Sequence, residues 1–334
     1  MKLNFHILIF LTIQFNSMKL ITILGQTCSG KTQMSLDLFR HFQKLGKSCC
    51  VVNCDSRQIY KSLDYGTAKV DGVWKNNVYY VEGDIPHYLI DYVEPRVQYN
   101  LSNYLNDFCD LFNPKGNPQA TIDPFKKGMK PDYVILVGGT GLYAKAINEE
   151  MDLGLVKKQF QTEYDSLKKE LNKLDLAVLQ NNVVEKNLNL NESDFVNKIR
   201  LVSNLLRFES TVQGWLENIN YPKFTQKYYC AIEIPDQQEL QIKIKNRIKL
   251  RINQGLISET KELILELGKK RVDELGLEYR LTRRFLDLEI TESEWVEQLG
   301  NENWQYAKRQ LTWIRREKNI IWVQTLDDLI KVCC

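Results

Sequence analysis

The sequence predicts an α/β fold in which a parallel sheet core is interrupted by a helical insertion. Apolar runs at residues 20–24, 49–53 and 133–137 have the length and composition of buried strands. Behind the first run, apolar residues recur at the spacing of a helix. Strands that alternate with helices indicate parallel pairing. From about residue 148 the spacing is helical throughout, until a strand pattern returns at residues 228–234.

The loop behind the first predicted strand has the composition of a phosphate-binding P-loop. It consists of Gly25, Gln26, Thr27, Cys28, Ser29, Gly30, Lys31 and Thr32. Its glycines let backbone N–H groups curve around an anion, and the helix that begins behind them directs its positive end to the same point. In such a loop the lysine neutralises phosphate charge and the following hydroxyl binds Mg²⁺. The sequence therefore predicts a P-loop NTPase-like core in which Thr32 holds Mg²⁺.

The ends of the next two predicted strands differ from those of an ATPase. Asp55 follows the second strand, and loops at the carboxyl ends of strands line the ligand crevice of such sheets. Asp55 also suits the cap of the following helix, and the two roles are compatible. The third strand ends in Gly138 and Gly139 instead of a Mg²⁺-supporting aspartate. Glycines there suit the close approach of a bulky or polyanionic ligand.

Composition and cysteine spacing exclude several classes of protein. The 334 residues suffice for one large or two ordinary domains, and a net charge of +3 identifies no partner. The 8 cysteines form no C-x-x-C pair, which argues against a zinc site or a disulfide scaffold. No apolar run is long enough to span a membrane. We expect a cytoplasmic protein, with organellar targeting left open.

The pattern also predicts domain boundaries. Residues 1–17 contain a short apolar run without a small-residue cleavage site, which favours an N-terminal extension, or a natural start at Met18, over a secretion signal. Within the insertion, a polar segment at 181–193 is interpreted as a linker, and Ile199 is expected to face inward from the helix behind it. The predicted parts are an extension at 1–17, a core at 18–147 and 225–330, and a helical insertion at 148–224.

Basic residues concentrate in the C-terminal half of the chain. A helix capped by Asp236 and ended by Gly255 is predicted to carry Lys243, Arg247 and Arg251 on one face. Like charges at this spacing repel by roughly a few tenths of a kcal/mol, which either a solvated face or an anionic partner tolerates. Basic clusters then alternate with aromatic residues, a composition that suits nucleic acid. These clusters are 269–271, 283–284, 308–309 and 315–318, with Tyr279, Phe285, Trp304, Tyr306 and Trp313 among them.

Six stretches of the chain together resemble one family. They are GQTCSGKT (25–32), DSRQIYKSLDYGTAK (55–69), PHYLID (86–91), VGGTGLY (137–143), LGLEYR (275–280) and YAKRQLTWIRR (306–316). In this order they resemble the tRNA dimethylallyltransferase family, which also includes the adenylate isopentenyltransferases of cytokinin synthesis. The resemblance covers roughly 20–147 and 225–320. Gln26 replaces the proline usual in this P-loop, and residues 198–202 depart from the Arg-Ile/Leu-x-Arg-Ala-Leu-Glu stretch of the family's insertion.

The resemblance implies a prenyl transfer without ATP chemistry. The P-loop would hold dimethylallyl diphosphate with Mg²⁺ as cofactor. The acceptor would be the exocyclic N6 amine of adenosine 37, in the anticodon loop of tRNAs that read codons beginning with U. That amine is a poor nucleophile and needs a hydrogen-bond acceptor, for which a carboxylate is available at neutral pH. The implied partners are the anticodon stem-loop of tRNA and dimethylallyl diphosphate, with no membrane and a monomeric protein.

The resemblance also implies roles for individual residues. The expected catalytic residues are Asp55, Thr27 and Arg247. Lys243 and Arg247 would join residues 25–32 in binding diphosphate. The expected tRNA-binding residues are Asp55, Ser56, Arg57, Gln58, Thr140, Lys198, Arg200, Lys308 and Arg309.

Three other functions stay open at this point. An adenylate isopentenyltransferase would use free AMP, ADP or ATP as acceptor, although a free nucleotide requires no basic, aromatic surface. A small-molecule kinase would bind ATP at the P-loop, which the two glycines behind the third strand disfavour. A non-catalytic RNA-binding relative would not need Thr27, Lys31, Thr32, Asp55 and Thr140 intact.

Overall fold

A computed structural model describes residues 18–112, 130–151, 153–234 and 236–334. The predicted extension at 1–17 lies outside these residues. The strands are β1 (Lys19–Leu24), β2 (Cys49–Asn53), β3 (Gly72–Lys75), β4 (Val78–Val81), β5 (Ile85–Tyr88), β6 (Tyr133–Val137), β7 (Leu155–Val156), β8 (Leu216–Glu217), β9 (Gln226–Ile232) and β10 (Ile321–Val323). The helices are α1 (Lys31–Lys44), α2 (Leu101–Asp110), α3 (Gly141–Asn148), α4 (Gln161–Lys173), α5 (Leu176–Glu185), α6 (Glu192–Phe195), α7 (Lys198–Val212), α8 (Gln237–Gln254), α9 (Leu256–Leu267), α10 (Lys269–Leu275), α11 (Leu277–Leu286), α12 (Glu292–Arg316) and α13 (Leu326–Cys333).

The predicted α/β class with a largely parallel sheet is confirmed. An eight-stranded sheet has the order β10-β9-β1-β6-β2-β5-β4-β3. The pairs from β10 to β5 are parallel, and β4 and β3 add an antiparallel hairpin at one edge. Because β6 lies between β1 and β2, the chain leaves β1 through α1 and crosses β6 to reach β2. The carboxyl ends of β1, β6 and β2 therefore meet at one edge and leave a crevice between their loops.

Two apolar clusters hold this part of the chain together. In the first, residues of the sheet pack against α1 and α13, and Phe42 of α1 stacks on Tyr133 of β6 with ring centroids 3.8 Å apart. In the second, apolar side chains of α8 to α12 surround the fully buried Trp295. The second cluster fixes α8 and α12, the two helices that complete the crevice.

The helix predicted from Asp236 to Gly255 is confirmed as α8. The Asp236 side chain accepts the N–H groups of Gln238 and Glu239 at 2.8 and 3.0 Å, which supplies partners for donors that the first turn leaves unpaired. Gly255 ends the helix with a φ of 137°, a conformation that favours glycine. Leu240, Ile244 and Ile248 of the predicted apolar face are buried. The basic face beside it is not a solvated one, because Arg251 is also buried and pairs with Glu278 at 3.2 Å.

The chain divides into two compact units, one within Met1–Met151 and Tyr221–Cys334 and the other within Asp152–Asn220. In the second unit, α4, α5 and α7 share an apolar core, and β7 pairs with β8. The prediction of a linker at 181–193 is wrong at both ends, because α5 continues to Glu185 to bury Val183 and α6 begins at Glu192. Ile199, expected to face inward, is 76 % exposed, and its neighbour Leu201 fills the core instead.

Among the residues described, none of the helices combines the length and apolar character that crossing a bilayer requires.

Candidate active site

A cavity of about 780 Å³ lies at the carboxyl ends of β1, β2 and β6. The rest of its lining comes from residues 66–70 between β2 and β3, from the end of β5, from α8, from the junction of α10 and α11, and from α12. Most of the residues predicted for the site line it, namely Thr27, Cys28, Ser29, Gly30, Lys31, Thr32, Asp55, Ser56, Arg57, Gln58, Thr140, Lys243 and Arg247. Residues distant in the sequence thus meet because parallel strands end at the same edge of the sheet.

The loop between β1 and α1 has the geometry of an anion-binding site. Cys28 and Gly30 have φ angles of 63° and 86°, which turn successive backbone N–H groups toward one side. Lys31 Nζ donates hydrogen bonds to the carbonyl oxygens of Gly25 and Gln26 at 3.0 and 2.7 Å. Burial, and then the neighbouring Arg247 guanidinium, lower the pKa of Lys31 to about 8. A bound anion would relieve both effects.

Arg247 adds a second buried cation to the same wall. Its guanidinium donates a hydrogen bond to Thr27 Oγ1, which ties α8 to the P-loop. Burial, followed by the nearby Arg251, lowers its pKa. Within the described residues Arg247 Nε is buried without a hydrogen-bond partner, as expected of a group that awaits a ligand. Lys243, one turn earlier, lines the cavity and pairs with Glu239 at 2.6 Å.

Asp55 lines the same cavity within electrostatic range of Lys31 and Arg247, and its two carboxylate oxygens are used differently. Oδ1 accepts the N–H groups of Arg57 and Gln58 at 2.9 and 3.4 Å, so it caps the turn behind β2. Oδ2 lies beside Gly139, where a Cβ would approach it to 3.3 Å. The capping role and a role toward a ligand are therefore compatible in this geometry, as the sequence suggested.

The two glycines behind β6 are required by close packing. A Cβ on Gly138 would collide with the Cys54 carbonyl group, and one on Gly139 would lie 2.7 Å from Gln310 Nε2. Thr140 then connects this loop to the loop of Asp55. Its hydroxyl accepts the Ser56 N–H at 3.0 Å, and its own N–H donates to the Cys54 carbonyl at 3.1 Å. The loops behind β2 and β6 thus form one hydrogen-bonded surface.

Comparison with known proteins assigns the family. A family model described as IPP transferase matches residues 58–317. The chain belongs to the IPP transferase family. Its relatives include "tRNA dimethylallyltransferase 2" of Treponema denticola, 32 % identical with 91 % of this chain and 95 % of that protein covered. Another is "tRNA dimethylallyltransferase 2" of Shewanella sediminis, 30 % identical with 94 % and 96 % covered.

Solved structures of IPP transferases share the fold. The tRNA isopentenylpyrophosphate transferase of Bacillus halodurans is 24 % identical, with a TM-score of 0.58 and with 94 % of this chain and 93 % of that chain covered. A eukaryotic dimethylallyltransferase described as acting on tRNA is 20 % identical, with a TM-score of 0.62 and with 95 % and 77 % covered. At these identities the likeness establishes the fold.

Two residues of this IPP transferase reach the site without having been predicted for it. Gln310 and Tyr306 lie one turn apart on α12 and line the cavity. Burial, followed by the Asp55 carboxylate, raises the pKa of Tyr306, so its hydroxyl keeps its proton at neutral pH. Both belong to the stretch YAKRQLTWIRR, and their spacing of four residues was the available signal.

Gln26, which replaces the usual proline, is buried and faces away from the cavity. Its amide exchanges two hydrogen bonds with the amide of Gln237, at 3.1 and 3.2 Å. It also donates to the Ala307 carbonyl at 3.2 Å. The substitution therefore attaches the P-loop to α8 and α12 and leaves the cavity side of the loop unchanged.

The other predicted tRNA-binding residues lie outside this cavity. Lys308 and Arg309 are exposed on α12, where their charged groups lie over the rings of Trp304 and Tyr306. Lys198 and Arg200 belong to the second compact unit, and Arg200 pairs there with Asp194.

The residues present fit a Mg²⁺ ion shared with a ligand. Thr32 is exposed and lines the cavity, so its hydroxyl is available for one coordination position. In the described ranges, no group of three or more His, Cys, Asp and Glu side chains could hold a metal. Mg²⁺ commonly takes one or two protein oxygens and completes its shell with water and substrate phosphates. This donor set therefore suits an ion that arrives with a diphosphate.

Proposed function

We propose that the chain transfers a dimethylallyl group from dimethylallyl diphosphate to the N6 amine of an adenosine in tRNA and releases diphosphate. The observation that carries the proposal is that an anion-binding loop, two partly buried cations and the Asp55 carboxylate line one cavity. The loop and the cations suit a diphosphate leaving group, and the carboxylate suits an amine that must lose a proton. The names of the relatives agree with this pairing.

On the donor side, the chain stabilises a growing negative charge. As the bond between the allylic carbon and the diphosphate oxygen breaks, charge accumulates on diphosphate. The P-loop N–H groups, Lys31 and Arg247 are fixed before the reaction, so they stabilise this charge without reorganising. Mg²⁺, when bound through Thr32, would neutralise part of the diphosphate charge.

On the acceptor side, Asp55 serves as hydrogen-bond acceptor. The lone pair of the adenosine N6 amine is delocalised into the ring, so the amine gains nucleophilicity only as its N–H is drawn away. The backbone of the next turn binds Oδ1 and not Oδ2. Oδ2 is therefore the oxygen that can accept the amine N–H. A base in an anticodon loop must leave its stack to reach such a cavity.

The proposal extends to the wider partners of the reaction. The acceptor would be adenosine 37 of tRNAs that read codons beginning with U, held through its anticodon stem-loop by a cytoplasmic monomer. Contacts to the RNA would come from the loop of Asp55, from Thr140 and from the exposed basic side chains of α12. Lys198 and Arg200 would contribute from the second unit.

Pyrophosphate release tests the proposal. Unmodified tRNA, Mg²⁺ and the protein are incubated with dimethylallyl diphosphate or with ATP, and pyrophosphate and ADP are measured. We expect pyrophosphate from dimethylallyl diphosphate only when tRNA is present. Lys31→Met should lower this release at least about a hundredfold, because it removes a charge at the leaving group. Lys44→Met, at the exposed far end of the same helix, should leave it unchanged.

Two results would contradict the proposal. ADP formed from ATP, with dimethylallyl diphosphate untouched, would indicate a kinase. Release of pyrophosphate with AMP as acceptor but not with tRNA would indicate an adenylate isopentenyltransferase.

A further inference from the structure

The side-chain amide of Gln310 joins two loops that line the cavity, the P-loop and the loop behind β6. Its Oε1 accepts the Thr27 N–H of the P-loop at 2.8 Å. Its Nε2 donates to the Gly139 carbonyl, behind β6, at 3.0 Å. Gln310 is 8 % exposed, so little water competes for either bond. One planar group thus fixes two backbone segments in a dry environment, where hydrogen bonds are strong and costly to lose.

The same amide lies next to the proposed reacting groups. A Cβ on Gly139 would lie 2.7 Å from Gln310 Nε2 and 3.3 Å from Asp55 Oδ2. Both atoms therefore lie on the same side of the Gly139 Cα. At its other end, the amide holds Thr27, whose hydroxyl accepts the hydrogen bond of Arg247. Gln310 therefore contacts the diphosphate side through Thr27 and the acceptor side through Gly139.

The Thr27 N–H is committed to Gln310 and is withdrawn from anion binding. The hydrogen bond between Thr27 and Gln310 therefore adds no donor to the phosphate site. Together with the bond to Gly139, it fixes the position of the P-loop relative to the loop of Gly139. Transfer requires the reacting carbon and nitrogen to approach along one line, and a misplacement of about 1 Å costs on the order of a hundredfold in rate.

We propose that Gln310 is a positioning residue that sets the gap between the diphosphate held by the P-loop and the amine that faces Asp55. This inference rests on the proposed function. It assigns Gln310 no contact with the reacting atoms. Its effect is expected in the turnover of bound substrates, with little change in how tightly pyrophosphate binds.

Gln310→Glu tests this assignment through its pH dependence. The carboxylate keeps the size of the amide and still accepts the Thr27 N–H, but it has no proton for the Gly139 carbonyl. Burial and the nearby Asp55 disfavour the charged form of the new carboxyl, whereas the Tyr306 hydroxyl and the cations Lys31 and Arg247 on the Thr27 side favour it. We expect burial to dominate at this 8 % exposed position and to raise the pKa, so that protonation restores the missing donor. Relative to wild type at the same pH, kcat should fall about a hundredfold at alkaline pH and recover at least about tenfold as the pH falls below neutrality.

The controls separate positioning from folding. Gln310→Met, which lacks both bonds, should lose kcat at every pH. Gln305→Glu makes the same chemical change at an exposed position of α12 and should behave as wild type. The affinity of Gln310→Met for inorganic pyrophosphate, measured by calorimetry, should stay within about twofold of wild type, because this variant adds no charge beside the P-loop and the Thr27 N–H is not a donor to the anion.

Three outcomes would overturn the assignment. They are an unchanged kcat in Gln310→Glu, a loss of kcat in Gln310→Glu that does not recover with acid, and a loss of kcat in Gln310→Met that is matched by an equal loss of pyrophosphate affinity. Wild-type protein in the same assay distinguishes the two proposals, since absence of transfer by wild type would contradict the proposed function itself.

Discussion

The two oxygens of Asp55 show how one side chain serves both local structure and chemistry. Oδ1 accepts two backbone N–H groups, and Oδ2 faces the cavity. Replacing the residue by alanine would remove both functions at once. Asparagine keeps an oxygen for the turn and removes the charge, so it isolates the chemical role.

We predict that Asp55→Asn lowers kcat by about 10²–10⁴, the range typical of a lost proton acceptor. The dissociation constant for tRNA should change little, because the turn behind β2 is preserved. Single-turnover transfer and filter binding measure the two quantities. Equal losses in both would make Asp55 a structural cap only.

The buried charge of Lys31 gives a second prediction at this scale. Burial and the Arg247 guanidinium lower its pKa to about 8, and a bound diphosphate would raise it by supplying opposite charge. Above about pH 8, binding therefore requires proton uptake, and affinity for inorganic pyrophosphate should fall as the pH rises further. Below that pH the lysine is already charged, and its contribution to the pH dependence should vanish.

Calorimetry in buffers of different ionisation heat measures this proton uptake directly. Pyrophosphate has its own titration, so the comparison is with Lys31→Met at the same Mg²⁺ concentration. The variant should show less uptake than wild type above pH 8. Identical uptake in the two proteins would mean that Lys31 does not change its protonation on binding.

Among the elements, α9 anchors the loop that closes one side of the cavity. Glu259 accepts the N–H groups of Asp64, Tyr65 and Gly66 at 2.8 to 2.9 Å, and also the Tyr279 hydroxyl at 2.7 Å. The ring of Tyr279 packs on Gly66 so closely that a Cβ there would collide with it. One buried carboxylate thus joins α9, α11 and the loop behind β2.

We predict that Glu259→Ala lowers the free energy of unfolding by about 3 kcal/mol, because it leaves buried donors without partners. Urea denaturation followed by circular dichroism gives the value. Glu262→Ala, one turn along on the exposed face of α9, should change it by less than about 0.5 kcal/mol. A loss in Glu259→Ala no larger than in this control would contradict the anchoring role.

Over the whole molecule, the distribution of charge is more informative than its sum. A net charge of +3 predicts no partner, yet the C-terminal part of α12 carries exposed cations. This cluster consists of Lys308, Arg309, Arg315 and Arg316. If this cluster binds the RNA backbone, Arg309→Ala and Arg315→Ala should each weaken tRNA binding. Each should also reduce the slope of log affinity against log salt by about 1.

The matched control is Lys44→Ala, whose exposed charge lies at the end of α1 remote from the P-loop. It should leave both affinity and salt slope unchanged. An unaltered slope in Arg309→Ala and Arg315→Ala would exclude both arginines from the RNA footprint.

The sequence predicted those features that depend on local order along the chain. The P-loop, the strand before it and Asp55 follow from adjacent residues together with the rule that strand ends share an edge. Gln310 and Glu259 could not be found this way, because their partners lie 283 and 193 to 195 residues away. The missed half of α5 has a similar reason, since burial of Val183 outweighs a polar local composition.

The most direct test of the central claim is mass analysis of nucleosides from unmodified tRNA incubated with the protein, Mg²⁺ and dimethylallyl diphosphate. AMP serves as a parallel acceptor. We predict a five-carbon addition to one tRNA adenosine and none to AMP. Addition to AMP alone, or to neither acceptor, would contradict the claim that this cavity joins a prenyl diphosphate to tRNA.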